Sequence, residues 1–366
     1  MVEMAEIFRL HGPQYRAKFG DQMPPSHLRA MEAIEHCRTE ALGGQIYYCE
    51  TCHDYQYSYH SCKNRHCPKC QHGSAHAWLH RQQARLLPLP DFLVTLTWPD
   101  ALRQLARSHQ KLFYNLLFRS SAQALQELAL DPRFVGGKIG MVGVLHTWTR
   151  ALHYHPHVHY LVPAGGLAAD SGQWLPARNT FLVPVKALSI LYRAKLRDAL
   201  RRTPVFDLVP PAVWEQDWVV HCEPVGTGAQ ALQYLAPDIF RVAISNHRIL
   251  RLEDGRVTFE YQDSQTGALQ VCTVTAEEFI RRFLQHVLPD HFVKVRYDGL
   301  FGPGNRDALN KARALLGVER RNGLPEGHLP DAIPQEPGMR CPKCASVMQL
   351  IDTLRPTARV PRNRGP

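Results

Sequence analysis

Four histidines, His153, His155, His157 and His159, occupy alternate positions in the stretch ALHYHPHVHYLVPAGG, residues 151–166. Side chains on a β-strand alternate between faces, so His157 and His159 point the same way about 7 Å apart and can share one ion. His155 has the same parity, but about 13 Å of extended strand separates it from His159, so all three could share an ion only with strain. A third ligand is therefore expected from another element. Two imidazoles that leave coordination positions open let an ion polarise a phosphate oxygen as a Lewis acid. Imidazole alone leans towards zinc or manganese rather than magnesium, which gives a missing oxygen ligand weight. The plain alternative is a histidine-rich face satisfied by water and carbonyls.

A metal-bound phosphodiester can be attacked by water or by a side chain that forms a covalent intermediate. Tyrosine attack conserves the phosphodiester energy, so strands can be rejoined. Two tyrosines fall on predicted helices. Tyr234 sits in AQALQYLAPDIFRVAISNHRI, and Tyr192 in LYRAKL with Lys195 one turn on. Composition and spacing do not choose between them.

The second chemical pattern is sulfur. Of ten cysteines, five lie within CETCHDYQYSYHSCKNRHCPKC, and two more form CPKC at 341 to 344. Clustered CxxC pairs read as metal sites rather than as a disulfide framework. Two knuckles separated by a short hairpin present four thiolates to a tetrahedral zinc, and Cys49, Cys52, Cys67 and Cys70 are the simplest set. Cys62, His66, His60, His53 and Cys37 could complete a second site or compete for the first. The KNRH segment inside this module could touch phosphate. Cys341 and Cys344 make half a site, with His328, Cys222, Cys272 or another subunit as candidate partners.

These groups must be positioned by a chain of 366 residues, long enough for two or three domains, with 45% apolar residues and a net charge of +10. The charge favours a polyanionic partner, nucleic acid before an anionic membrane surface. No run of 18 apolar residues occurs and the first residues lack a signal-peptide core, so a soluble, cytoplasmic, nucleoid-associated protein without a membrane partner is expected.

Helical spacing predicts helices over 26–40 (capped by Ser26), 74–87, 101–129, 185–202, 226–236 and 275–287, the last with Thr275 and Glu278 as a capping box. Strands are predicted at 91–98, 138–148, 155–162 and 218–223, with three more between 240 and 275. This mixture points to an α+β fold, one sheet with helices packed on it. The expected domains are a zinc-binding module at 1–87, a catalytic domain at 88–316, and a Pro- and Gly-rich segment with a basic tail at 317–366.

Taken together, SCKNRHCPKCQ, FLVTLTWP, LHTW, HPHVHYLVPAGG, QYLAPDIFRVAISNHRI and TAEEFIRRFLQHVLP resemble, in this order, the rolling-circle transposases of the HUH (His-hydrophobic-His) endonuclease superfamily. The insertion-sequence ninety-one family and its common-region relatives are the nearest group, and the resemblance covers most of the chain. It implies the superfamily's antiparallel sheet and a single-strand DNA nickase and strand transferase. It also implies metal ligation by His157 and His159, and Tyr234 as the nucleophile that forms a 5′-phosphotyrosine. Structural Zn²⁺ and catalytic Mg²⁺ or Mn²⁺ are the expected cofactors. Single-stranded transposon ends and target DNA are the expected partners, with room for an oligomer.

The chain departs from the two-tyrosine pattern, in which a second tyrosine follows four residues after the first; here that position is Asp238. Asp238, Gln230 one turn before Tyr234, and His146 in LHTW are the candidate third ligands. Arg241, Arg248, Arg281 and Arg282 are candidate phosphate contacts, and Trp98 and Trp148 could stack unpaired bases. YRAK resembles a motif of rolling-circle replication initiators, which keeps Tyr192 as the second candidate nucleophile. A replication initiator, a metallonuclease without strand transfer, and a zinc-dependent DNA-binding regulator remain the alternative functions.

Overall fold

The computed structural model describes residues 2–70, 86–178, 180–227, 243–263, 266–318 and 338–358. Two helices, α1 (Met4–Phe19) and α2 (Pro25–Glu35), lead into a hairpin of β1 (Gly44–Cys49) and β2 (Asp54–Tyr59). Strand β3 (Pro90–Thr97) follows, then α3 (Arg103–Ser108) and α4 (Gln110–Leu130). Next come β4 (Gly140–Trp148), β5 (Tyr154–Pro163), the short pair β6 (Gly165–Leu167) and β7 (Trp174–Pro176), helix α5 (Val185–Leu200) and strand β8 (Val220–Thr227). A meander of β9 (Ile249–Glu253), β10 (Arg256–Gln262) and β11 (Leu269–Thr275) runs into α6 (Ala276–Leu284). Strand β12 (Val295–Gly299), helix α7 (Arg306–Leu315) and strand β13 (Gln349–Leu354) complete the described elements.

The central sheet has five strands in the order β12-β4-β5-β3-β8, and every neighbouring pair is antiparallel. Alternation decides what each face carries. Val94 and Leu96 of β3 and Val158, Tyr160 and Val162 of β5 turn towards α4 and α5, and pack with Phe113, Leu117, Tyr192 and Leu196. Tyr160 anchors this face, because its hydroxyl donates to the Phe118 carbonyl of α4 and also meets the Ser121 hydroxyl. Gly143 on β4 makes room for it: a Cβ there would stand 2.5 Å from a ring carbon of Tyr160. The opposite face buries Leu93, Val142, Val144, Leu161 and Val295. Along β3 and β5 that same face continues into Thr95, Thr97, His157 and His159.

A second core joins α1 and α2 to the meander and α6. Phe8 meets Phe283 edge-on at 5.5 Å, and Phe259 meets Phe279 at 5.9 Å. Helix α6 forms because Thr275 accepts from the Glu278 amide and because Ala276, Phe279, Ile280, Phe283 and Leu284 line one apolar stripe. The Glu278 carboxylate does not reach back to close the box; it pairs with Arg281 and Arg282. A third, three-stranded sheet has the order β13-β1-β2, so the C-terminal strand lies against the N-terminal hairpin.

The strands at 91–98, 138–148 and 155–162 appear as β3, β4 and β5, and the strand expected at 218–223 begins at Val220 and runs on to Thr227. Helix α2 starts at Pro25 with Pro24 in the cap position, two residues ahead of the expected Ser26 cap. The helix expected over 101–129 is broken at His109, whose φ of −125° and ψ of 43° leave the helical region. Residues 226 and 227, expected to start a helix, extend β8, and most of the helices expected at 74–87 and 226–236 lies outside the described residues. Among the described residues no helix is long and apolar enough to cross a membrane.

Asp91, near the start of β3, is 1% exposed, and neither carboxylate oxygen has a hydrogen-bond partner among the described residues. Burial pushes its carboxyl up to about 7. The native state therefore holds a proton that the unfolded chain releases near its ordinary value, and stability is lost as pH rises towards about 7. Asp91→Asn is expected to raise the melting temperature more at about pH 8 than at about pH 5. Thermal melts of the two proteins at both pH values check this, and equal gains would contradict the assignment.

Candidate metal centre and cysteine clusters

His157 and His159 share a face of β5, and register brings His146 of β4 directly opposite His157. The ring centroids lie 4.7 Å apart for His157 and His159, 4.6 Å for His146 and His159, and 5.3 Å for His146 and His157. One ring nitrogen from each lies within 4.8 Å of the others, a spacing that allows a single ion. The third imidazole thus comes from the neighbouring strand. His155 borders the trio without joining it: its ring centroid lies 5.2 Å from that of His157, and its Nδ1 accepts from the Arg103 guanidinium at 2.5 Å.

The imidazoles are held in an orientation that suits metal binding. His157 Nδ1 donates to the His155 carbonyl at 2.7 Å, and His159 Nδ1 lies 2.7 Å from the Thr95 hydroxyl. Both contacts leave Nε2 free, as in metal-ligating histidines whose other nitrogen is fixed by an outer partner. His146 Nε2 is buried without a hydrogen-bond partner among the described residues, an orphaned donor atom that an ion would satisfy. Burial holds His159 down to about 4, and burial with the neighbouring rings holds His146 and His157 well below the ordinary imidazole range. All three are neutral, the form that ligates. The donor set offers three nitrogens and, among the described residues, no carboxylate.

Thr95 was missed at the level of sequence, although the alternation of FLVTLTW places it opposite the core face. Lys294 lies 4.7 Å above the Trp148 ring, and Trp148 stacks on His146 at 5.6 Å, so the trio has a basic and aromatic border. Trp98 packs edge-on against Phe113 and is 2% exposed, which removes it as a base-stacking surface.

Tyr234, Gln230, Asp238 and Arg241 lie outside the described residues. Tyr192 is fully buried against Trp218, and its hydroxyl has no hydrogen-bond partner among the described residues. Burial pushes that phenol well above its ordinary range, so it is neither accessible nor readily ionised. Lys195 pairs with Glu127 of α4. Tyr192→Phe is expected to leave DNA cleavage unchanged and to cost no stability, gaining up to about 1 kcal/mol from removal of the unsatisfied hydroxyl. Chemical denaturation alongside a cleavage assay checks both parts.

Three of the expected phosphate-binding arginines are engaged within the protein. Arg248 donates to the carbonyls of Glu260 and Arg150. Arg281 and Arg282 grip Glu278, which lowers the Glu278 carboxyl to about 2. In KNRH, Arg65 donates to the carbonyls of Phe292 and Pro289 and ties the cysteine module to the chain beyond α6.

The cysteines form two sets of four, each with its sulfurs within 4.8 Å of one another: Cys37, Cys62, Cys67 and Cys70, and Cys49, Cys52, Cys341 and Cys344. The expected grouping of Cys49 and Cys52 with Cys67 and Cys70 is overturned by the hairpin. Cys49 and Cys52 flank its tip, whereas Cys37 and Cys62 flank its open end, and six-residue strands hold the two ends roughly 17 to 20 Å apart. His66 belongs to neither set; it is buried, and its Nε2 accepts from the Leu288 amide at 3.4 Å. His60 Nδ1 turns to the Leu42 carbonyl and His53 Nδ1 to the Tyr48 hydroxyl. In the first set, Sγ separations of 3.5 Å for Cys37–Cys70 and 3.6 Å for Cys62–Cys70 sit near the roughly 3.8 Å edge of a tetrahedron with Zn–S bonds of about 2.3 Å. As thiolates at this spacing, with Cys37, Cys62 and Cys67 buried and Cys70 half-buried, the four would need a cation among them.

Comparison with known proteins bears on both regions. A family described as "Transposase zinc-binding domain" matches residues 7–98, and one described as "Putative transposase" matches residues 140–308. The chain is 39% identical over 337 residues to the transposase-named protein y4qJ of Sinorhizobium fredii, covering 86% of this chain and 84% of that one. It is 30% identical over 289 residues to the transposase for insertion sequence element IS801 of Pseudomonas savastanoi, covering 72% and 67%. The chain belongs to the IS91 family of transposases.

In this transposase the zinc-binding match contains all of Cys37, Cys62, Cys67 and Cys70, and that set fits a structural zinc. The other match contains the three histidines. Cys341 and Cys344 lie beyond both. No solved structure matches the chain.

Proposed function

We propose that this transposase nicks single-stranded DNA in a metal-dependent step and rejoins the ends through a 5′-phosphotyrosine on Tyr234, on an HUH-type sheet. The observation that carries the reading is the convergence of His146, His157 and His159 on one face of an antiparallel sheet, with an orphaned Nε2 on His146. These residues would hold a divalent ion, Mn²⁺ or Mg²⁺. When bound, it supplies positive charge to a non-bridging oxygen of the scissile phosphate.

The chain's own residues do the rest. Thr95 and the His155 carbonyl fix the two imidazoles of β5, so the ligands need not reorganise as charge develops. Tyr234 follows the last residue of β8 by seven positions, and β8 lies two strands from β5. Thr227 pairs with Pro90, five residues along β3 from Thr95, the partner of His159, and seven residues of chain span at most roughly 25 Å, enough to bring the phenol to the trio. Its oxygen forms a bond to phosphorus, its proton passes to solvent, and the 3′ oxygen leaves with the bonding pair to become a hydroxyl. An incoming 3′-hydroxyl reverses the step and returns the phenol. With Asp238 where relatives carry a second tyrosine, each subunit supplies one nucleophile. The net charge of +10 favours the polyanionic substrate.

Incubation with labelled single-stranded oligonucleotides and Mn²⁺ or Mg²⁺, followed by denaturing gels, tests this directly. A covalent protein–DNA adduct with a free 3′-hydroxyl product is expected. Because all three ligands are imidazoles, Mn²⁺ is expected to support the reaction better than Mg²⁺. Cleavage without an adduct contradicts the tyrosine mechanism, and binding without cleavage contradicts the enzyme.

A further inference from the structure

Cys49 and Cys52 are matched across the fold by Cys341 and Cys344, 289 positions or more along the chain. The geometry points to a second, discontinuous zinc site at these four sulfurs that fastens the C-terminal segment onto the N-terminal module. The Cys49 and Cys344 sulfurs lie 3.5 Å apart, and all four lie within 4.8 Å of one another. A disulfide would need about 2.05 Å, while a tetrahedral zinc with thiolate bonds of about 2.3 Å sets sulfurs about 3.8 Å apart.

The two knuckles are built alike. Each is a CxxC whose second cysteine is followed by a residue in the left-handed region, His53 at φ 53° and Ala345 at φ 61°. In the C-terminal knuckle the Cys341 amide donates to Ser346 and the Ala345 amide donates back to Cys341. Polar contacts cross between the knuckles: Thr51 to Ser346 at 3.2 Å, Lys343 to Asp54 at 2.9 Å and Gln349 to Glu50 at 2.7 Å.

What holds this segment is the deciding question. Every residue of β13 before Leu354 is exposed, and within residues 338–358 only Cys341 and Met348 are buried. Two buried side chains do not offset the ordering of some twenty residues, at roughly 1 to 2 kcal/mol of backbone entropy each. The backbone ladder from β13 to β1 is likewise solvent-edged. A structural metal is how a piece this small acquires a fixed place. Three of the four sulfurs are buried or half-buried, and the fourth, Cys344, is exposed. The set is thus shielded from the interior side and open to chelators from the other.

The site is independent of the histidine centre, and its test does not use DNA cleavage. The full chain, purified without chelator, is compared with C341S/C344S by elemental analysis and amide exchange. The variant is expected to lose one zinc per chain, keep the other cysteine-bound zinc, and lose exchange protection in β1 and β13 while α1 and α6 stay protected. In the wild type, Cys344 is expected to resist alkylation under native conditions, despite its exposure, until chelator is added. This second readout needs no variant. Equal zinc content in the two proteins, immediate alkylation of Cys344, or an intact mass showing disulfides at these cysteines would each overturn the assignment.

Discussion

Tyr234→Phe is expected to abolish the covalent protein–DNA adduct and to lower single-strand cleavage by about 10³-fold or more, because the substitution deletes the atom that bonds to phosphorus. Phenylalanine keeps the ring, so any packing role of this position survives and the fold is unchanged. Binding of the uncleaved oligonucleotide should persist, which separates loss of chemistry from loss of recognition. Tyr192→Phe is the matched control. It removes a phenol that is buried beside Trp218, and cleavage should continue. If adducts formed by the Tyr234 variant map to another tyrosine, the assignment of the nucleophile is wrong. If cleavage persists with water as the nucleophile, the rejoining chemistry is wrong as well.

The second large effect is expected at the histidines. His157→Ala or His159→Ala removes one of three converging imidazoles and should cost about 10³-fold in cleavage, the several kcal/mol that a positioned cation contributes at a transferring phosphate. His146→Ala should act in the same direction, because its Nε2 is the orphaned atom at the centre. The variants should be partly rescued by raised Mn²⁺, which a merely structural histidine would not show. Zinc held by the cysteines should be unaffected, since Cys37, Cys62, Cys67 and Cys70 form a separate cluster. Cleavage that survives both single substitutions on β5 would exclude the metal assignment.

Much of this site follows from elementary alternation. His157 and His159 share a face because neighbouring strand residues point oppositely, and that needs no tertiary information. His146 could be named only as a candidate, because the pairing of His146 with His157 depends on the β4–β5 register. That register is fixed by a connection in which the Thr149 amide meets the His153 carbonyl and Leu152 adopts φ 63°. A leucine in the left-handed region carries no turn signature in sequence.

The cysteines teach the opposite lesson. CxxC spacing identifies knuckles, but proximity along the chain suggested the wrong partners. The β1–β2 hairpin separates Cys49 and Cys52 from Cys67 and Cys70, and the partner knuckle arrives from the far end of the chain. Likewise, Arg248, Arg281 and Arg282 looked like phosphate contacts as bare charges, yet each finds an internal acceptor once β10 and α6 are in place. Helix α1, though amphipathic enough to bury Ile7, Phe8 and Tyr15, has no side-chain cap hydrogen bond to announce it.

The central claim is that three imidazoles and the Tyr234 phenol meet at one scissile phosphate. Diffraction from the protein bound to Mn²⁺ and a single-stranded oligonucleotide, collected at the manganese absorption edge, tests it most directly. The account expects one anomalous peak among the Nε2 atoms of His146, His157 and His159, with the Tyr234 hydroxyl facing the phosphorus beside it. An ion bound elsewhere, or a Tyr234 hydroxyl enclosed in packed side chains away from the phosphate, would contradict it.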